Sequence, residues 1–177
     1  MTKIEKIMFV IPNDRWFDNN KHWHGFPYTT GILTSILKDE YDVKFLDAGF
    51  EDLTYEQTQQ RIANYNPDVV GISCMSMEYT RHFQKIAEIA KSVNPKVIVI
   101  VGGIYPTLLP EVLLKNPNID YAVLGEGEYR FPKLLKHLKN PEENPIEEIE
   151  GLSYRSNGKI IVRPVQSYIK DLDVIPF

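Results

Sequence analysis

The stretch "KVIVIVGGIYPTLLPE", Lys96 to Glu111, decides the fold. An unbroken aliphatic run from Val97 to Val101 meets Gly102 and Gly103, and a Pro106-Thr107 turn then leads to Pro110 at the head of a helical pattern. A run this short and this apolar reads as a strand buried on both faces, the habit of parallel sheets sandwiched between helices. Proline suits a first helical turn because the N–H it lacks would find no partner there. Two glycines at the strand end remove side chains where something is expected to approach the backbone closely.

Four more runs share the pattern: "KIMFVIP" (6–12), "DVKFLDA" (42–48), "DVVGIS" (68–73) and "YAVLGEGE" (121–128). Amphipathic stretches separate them. Thr54 and Gln57 stand at capping-box spacing before "YEQTQQRIANY". Phe83, Ile86, Ala87, Ala90 and Val93 recur on one helical face, and Phe131, Leu134, Leu135 and Leu138 on another. The alternation predicts a doubly wound α/β domain over residues 1–140 with a five-stranded parallel sheet. Its order, 2-1-3-4-5, is taken by analogy with flavodoxin-like folds.

Composition then shifts. "NPEENPIEEIE" (140–150) is acidic, broken by two prolines, and reads as a linker. "GLSYRSNGKIIVRP" sets two short alternating runs around Asn157-Gly158, the strongest hairpin signal in the chain. Residues 141–177 are therefore expected to be a linker and a C-terminal β-hairpin. The closing "IKDLDVIPF" has neither helical period nor cap, and reads as a cut made in mid-protein.

Charge and cysteine usage exclude several classes. A net charge of −4 gives no electrostatic footprint for nucleic acid, and no segment is long and apolar enough to span a bilayer. The opening "MTKIEKIMFVIP" is a strand pattern with no small-residue cleavage site behind it. The single cysteine, Cys74, rules out a disulfide framework and an iron–sulfur cluster built within these residues. It points to a reducing, cytoplasmic setting.

In an open parallel sheet, ligands bind beyond the carboxyl ends of the strands. Those ends carry Asp47, Ser73 and Ser76, Gly102 and Gly103, and Gly125-Glu126-Gly127-Glu128, each small, polar or both. One glycine in a βα turn is often only backbone geometry, but four such ends along one edge predict a roomy cleft. The loop after the first run, "NDRWFDNNKHWHGFPYTT", is unusually long and carries Trp16, Phe17, Trp23 and Phe26, either as a lid or interface or as cover for the sheet edge. No G-x-G-x-x-G follows the first strand, and no phosphate loop, nucleophile elbow or metal-ligand cluster is present. His22 and His24 have no third ligand in sight, and His82 and His137 fall on helical patterns as expected surface residues.

"PDVVGIS", "VIVIVGGIYPTLLPEVLLKNPNIDYAVLGEGEYRFPKLL", "IEGLSYRSNGKI" and "IKDLDVIPF" together resemble the N-terminal part of cobalamin-binding radical S-adenosylmethionine enzymes. The pattern is similar to that of anaerobic magnesium-protoporphyrin IX monomethyl ester cyclases and related methyltransferases. The resemblance covers nearly the whole chain and is most specific from Gly102-Gly103 through Pro106-Thr107 to Gly125-Glu126-Gly127-Glu128. It implies a Rossmann-like cobalamin-binding fold, with the corrin ring and its tail lying across the carboxyl edge. Asp47, Ser73, Ser76, Gly102, Gly103, Tyr105, Pro106, Thr107, Gly125, Glu126 and Gly127 are then the expected cofactor-binding residues.

The resemblance further implies a following barrel domain in cis that holds S-adenosylmethionine and a 4Fe-4S cluster on a Cys-x-x-x-Cys-x-x-Cys motif, which these residues lack. This chain would bind cobalamin without catalytic residues of its own. The methionine synthase and mutase pattern Asp-x-His-x-x-Gly is missing after the first strand, where "KHWHGF" stands, so cobalt is expected to have no histidine below it. Tyr105 replaces a histidine common in the radical group, and Thr29 a glycine. Two other readings stand beside this one: a cobalamin-free docking or substrate-gating module of the same parent, and a small-molecule sensor on the same fold.

Overall fold

The computed structural model describes residues 3–13 and 27–176. Five parallel strands form where the apolar runs stand: β1 (Lys6–Ile11), β2 (Asp42–Asp47), β3 (Val69–Ser73), β4 (Ile98–Gly102) and β5 (Tyr121–Val123). Their order is β2-β1-β3-β4-β5, as expected. Among the described residues six helices cover the two faces: α1 (Tyr28–Leu37), α2 (Tyr55–Tyr65), α3 (Thr80–Val93), the short α4 (Ile104–Leu108) and α5 (Pro110–Leu113), and α6 (Gly127–Lys139).

Alternation along each strand divides the core in two. Met8, Val10, Val70, Ile72, Val99 and Val101 face α2 and α3, where they meet Ile62, Phe83, Ile86 and Ala90. Ile7, Phe9, Val69, Ile100 and Val123 face α1 and α6, where they meet Leu33, Leu37, Phe131, Leu134 and Leu135. Burial on both sides is why these strands read as continuous apolar runs. The capping box forms: Thr54 Oγ1 accepts from the Gln57 amide at 3.2 Å, and Gln57 Oε1 accepts from the Thr54 amide at 2.8 Å. Pro110 opens α5 as its spacing predicted.

The hairpin extends this sheet. β6 (Leu152–Ser156) and β7 (Lys159–Arg163) turn at Asn157 and Gly158, both at positive φ. β6 pairs antiparallel with β5, Ala122 opposite Ser153, which makes a seven-stranded sheet. β5 would otherwise present a row of unpaired backbone groups at an edge. From β6, the Arg155 guanidinium donates to the carbonyls of Leu114, Asn116, Pro117 and Ile119, fixing the loop that leads into β5.

His82 departs from expectation. It is 2% exposed, with Nδ1 hydrogen-bonded to the Tyr55 hydroxyl at 2.6 Å between α2 and α3. Residue 82 precedes Ile86 by four and Ile89 by seven, which places it on the buried stripe of α3. His137 is half-buried, and its Nδ1 donates to the Asn144 carbonyl at 2.8 Å.

Candidate functional site

The register brings the small residues together. Ser73 lies opposite Gly102, Gly102 opposite Val123, and Gly71 opposite Phe9 and Ile100. Gly71, Ser73 and Gly102 all sit on the face that α1 and α6 cover. Where their side chains fall short, the helices cannot close on the sheet, and a cavity of about 410 Å³ opens at the carboxyl ends. Phe9, Leu33, Ile100 and Phe131 wall its floor, while Thr29, Thr107 and the Gly125–Glu128 turn form its mouth. Phe9 and Phe131 pack at 5.3 Å between ring centroids.

The adjacent glycines differ in what they do. A Cβ on Gly102 would find only the Val123 carbonyl oxygen, at 3.9 Å, so this position opens into free space. Gly103 has φ +114°, and its Cβ would stand 2.7 Å from the Cys74 carbonyl oxygen. That residue is glycine because the backbone beyond β3 crosses it. The crossing is hydrogen-bonded, the Cys74 amide to the Gly102 carbonyl at 2.7 Å and the Tyr105 amide to the Cys74 carbonyl at 3.1 Å.

Of the expected site residues, Ser73, Gly102, Gly103, Thr107, Gly125, Glu126 and Gly127 line the cavity. Thr107 joins two strand ends: its hydroxyl donates to the Gly103 carbonyl and accepts from the Gly125 amide, each at 2.8 Å. Asp47, Ser76, Tyr105 and Pro106 stand outside the lining. Asp47 accepts from the Phe50 amide at 2.8 Å and shapes the turn after β2; Ser76 accepts from the Glu78 amide at 3.3 Å and starts a 3₁₀ turn. Tyr105 is 5% exposed and packs in the α2/α3 core, and Pro106 is buried beside it. Cys74 is fully buried, and desolvation pushes its thiol well above the usual range. The aromatic loop and His22 and His24 lie outside the described residues.

Gly71, Phe9 and Phe131 complete the floor without having been singled out. The signal for Gly71 was a glycine inside an apolar strand, which marks a close approach. Its Cβ would sit 2.6 Å from the Phe9 ring. Phe9 and Phe131 read as ordinary core, and only the folded structure shows that they end at a void.

A family model described as "B12 binding domain" matches residues 26–135, well over half of the chain. An uncharacterized methyltransferase of Pyrococcus horikoshii is 36% identical across 98% of this chain and 38% of its own length. The anaerobic magnesium-protoporphyrin IX monomethyl ester cyclase of Rubrivivax gelatinosus is 33% identical across 96% of this chain and 31% of its own. Among solved structures, the radical S-adenosylmethionine methyltransferase TsrM of Kitasatospora setae, with cobalamin and a 4Fe-4S cluster bound, aligns over 98% of this chain and 31% of that one. Its TM-score is 0.75 at 19% identity, a likeness of fold. The chain thus spans roughly a third of the curated relatives it matches. With the family match across residues 26–135 and a cleft at the carboxyl ends of its strands, the chain belongs to the B12-binding domain family and is a cobalamin-binding module.

Proposed function

We propose that this chain supplies the cobalamin of a longer radical S-adenosylmethionine enzyme of the methyltransferase or cyclase type, and contributes no catalytic residue itself. The observation that carries the reading is the open Cβ position of Gly102 at the lip of a mostly apolar cavity, where a planar ligand can lie against bare backbone. Ser73, Gly102, Gly125 and Gly127 would meet the cofactor directly, and Thr107 would hold the ends of β4 and β5 at a fixed spacing for it. Gly103 supports the same edge through the Cys74 crossing. Asp47, Ser76, Tyr105 and Pro106 act one step back, by shaping the turns on which the edge is built.

When bound, cobalamin supplies a redox-active cobalt that can carry a one-carbon group; the cavity walls hold the cofactor in place and keep water from its buried part. S-adenosylmethionine and the 4Fe-4S cluster belong to a further domain in cis, and the parent works in the cytoplasm. Tyr105, which stands where the radical group often has histidine, is packed on the opposite face of the sheet and lends a cobalamin-free docking module no support. The direct test is the visible absorption of protein repurified after incubation with hydroxocobalamin. Retained, spectrally shifted cobalamin is the expected outcome; protein that emerges colourless would refute the proposal. A double His22→Ala, His24→Ala variant should leave that spectrum unchanged, because no Asp-x-His-x-x-Gly stands after β1.

A further inference from the structure

Residues 164–169 form neither helix nor strand, yet their path is fixed at one corner of the molecule. The Gly151 amide donates to the Pro164 carbonyl at 3.1 Å. Glu150 accepts from the Gln166 amide at 2.8 Å and from the Ser167 hydroxyl. Arg130 Nη2 donates to the Ser167 carbonyl at 2.6 Å and to Glu150 Oε1 at 3.0 Å. Glu126 Oε2 accepts from the Ile169 amide at 2.7 Å.

Of these anchors Glu126 lines the cleft itself, and Arg130 Nη1 stands 3.6 Å from where a Cβ on Gly125, another lining residue, would be. Glu126 borders both the cleft and a wider groove of about 750 Å³ between α1, α6 and residues 167–176. Its carbonyl accepts from Arg130 Nη1 at 2.9 Å. Arg130 is 1% exposed, so its charge must be answered locally, and Glu150 answers it. Val165 packs on Gly125, close enough that a Cβ there would stand 3.1 Å from its methyl. Gly151, at φ +60°, leaves room for the guanidinium, since a Cβ would collide with Arg130 Nε.

We infer that residues 164–169 are a strap, and that Arg130, Glu150 and Glu126 clasp it so that its position and the wall of the cobalamin cleft move together. The inference rests on the cleft being the cofactor site. A strap without a hydrogen-bond ladder of its own is ordered only by its anchors, and here the anchors and the wall share Glu126. A ligand that stiffens Gly125–Gly127 must then tighten the strap, and by linkage a fastened strap must favour the ligand by the same factor. Past the strap, Leu172 and Val174 are exposed, so the clasp sets where this apolar stretch stands relative to the cofactor. Arg130 and Glu150 are thus positioning residues.

Amide hydrogen exchange on the full chain tests this, with Glu150→Ala and Ser167→Ala beside the parent, each with and without hydroxocobalamin. Glu150→Ala is expected to speed exchange at Gln166 and Ile169 at least tenfold and at the wall amides of Leu124 and Gly125 severalfold, leaving β1 and β3 at parent rates. Ser167→Ala should do the same more weakly, and it carries the comparison should Glu150→Ala lose protection throughout. Hydroxocobalamin should slow the strap amides of the parent. If the strap opens while Leu124 and Gly125 keep their parent rates, or if the parent strap already exchanges as a free chain does, the inference is overturned. Absence of a cobalamin spectrum would refute the cofactor reading alone, because the variant comparison without cofactor still decides whether clasp and wall are joined.

Discussion

The two faces of the sheet are built from the same strands and end differently. On the α2/α3 side the strand ends are filled: Leu46, Cys74, Tyr105 and Leu124 are all buried, and the core runs solid to the edge. On the α1/α6 side the equivalent ends are Ser73 and Gly102, with Gly71 below, and the core stops short at a cavity. One alternation pattern therefore produces a load of packed side chains on one side and a receptacle on the other. The difference lies in three small residues on one face, Ser73 level with Gly102 and Gly71 one step below, with no change in the backbone plan.

The largest expected effect asks whether the filled face is as solid as it looks. Ile86→Ala, at 1% exposure in the α2/α3 core, should destabilise by about 2–5 kcal/mol in urea unfolding. Leu33→Ala, whose side chain already borders the cavity, should cost only about 1–2 kcal/mol, near the transfer term alone. Equal losses would mean that the cavity is closed in solution, and the contrast would fail.

Next come the neighbouring glycines. Gly103→Ala meets both a left-handed backbone and the Cys74 carbonyl, and should cost about 1–3 kcal/mol of stability. Gly102→Ala should stay within about 1 kcal/mol of the parent. A stability loss at Gly102 matching that at Gly103 would remove the distinction between a glycine kept for the fold and one kept for the ligand. Gly102→Val sharpens it from the binding side: cobalamin affinity should fall at least tenfold, about 1.4 kcal/mol, with the unfolding midpoint nearly unmoved.

The smallest effect concerns acid. Hydrogen bonds from Ser167 and Gln166, with the Arg130 charge, hold the Glu150 carboxyl below its ordinary value against the opposing pull of desolvation. A group depressed in the folded state adds its full stabilisation above the ordinary carboxylate range and loses it as pH falls through the lower, folded value. Strap amides, corrected for intrinsic exchange, should therefore stay protected through the ordinary carboxylate range and open only below it. Release already near pH 6 would point to a different titrating group and away from Glu150.

Much of this was legible in the residues. Five apolar runs gave five strands, Thr54 and Gln57 gave a cap, and Asn157-Gly158 gave a turn, because each signal is local and each local preference agrees with the fold. The partner of the hairpin was not legible, since pairing across thirty residues leaves no mark in either segment. Tyr105 illustrates a second limit. It follows Gly103 by two and reads as part of the edge, but the short α4 carries it over to the α2/α3 core. Glu126 illustrates a third: "GEGE" announces a strand end, while its hydrogen bond to residue 169 can be seen only in three dimensions.

The seven-stranded sheet has a practical consequence for anyone who would cut this module out of a gene. A truncation at residue 140, where composition suggests a seam, would discard β6 together with Arg155 and Glu150. The remaining product would carry β5 as a bare three-residue border, with the loop before it released from four carbonyl anchors and a guanidinium buried without its carboxylate. Such a fragment is an invitation to edge-to-edge association in the expression host. The smallest soluble expression unit should extend at least through Ile169.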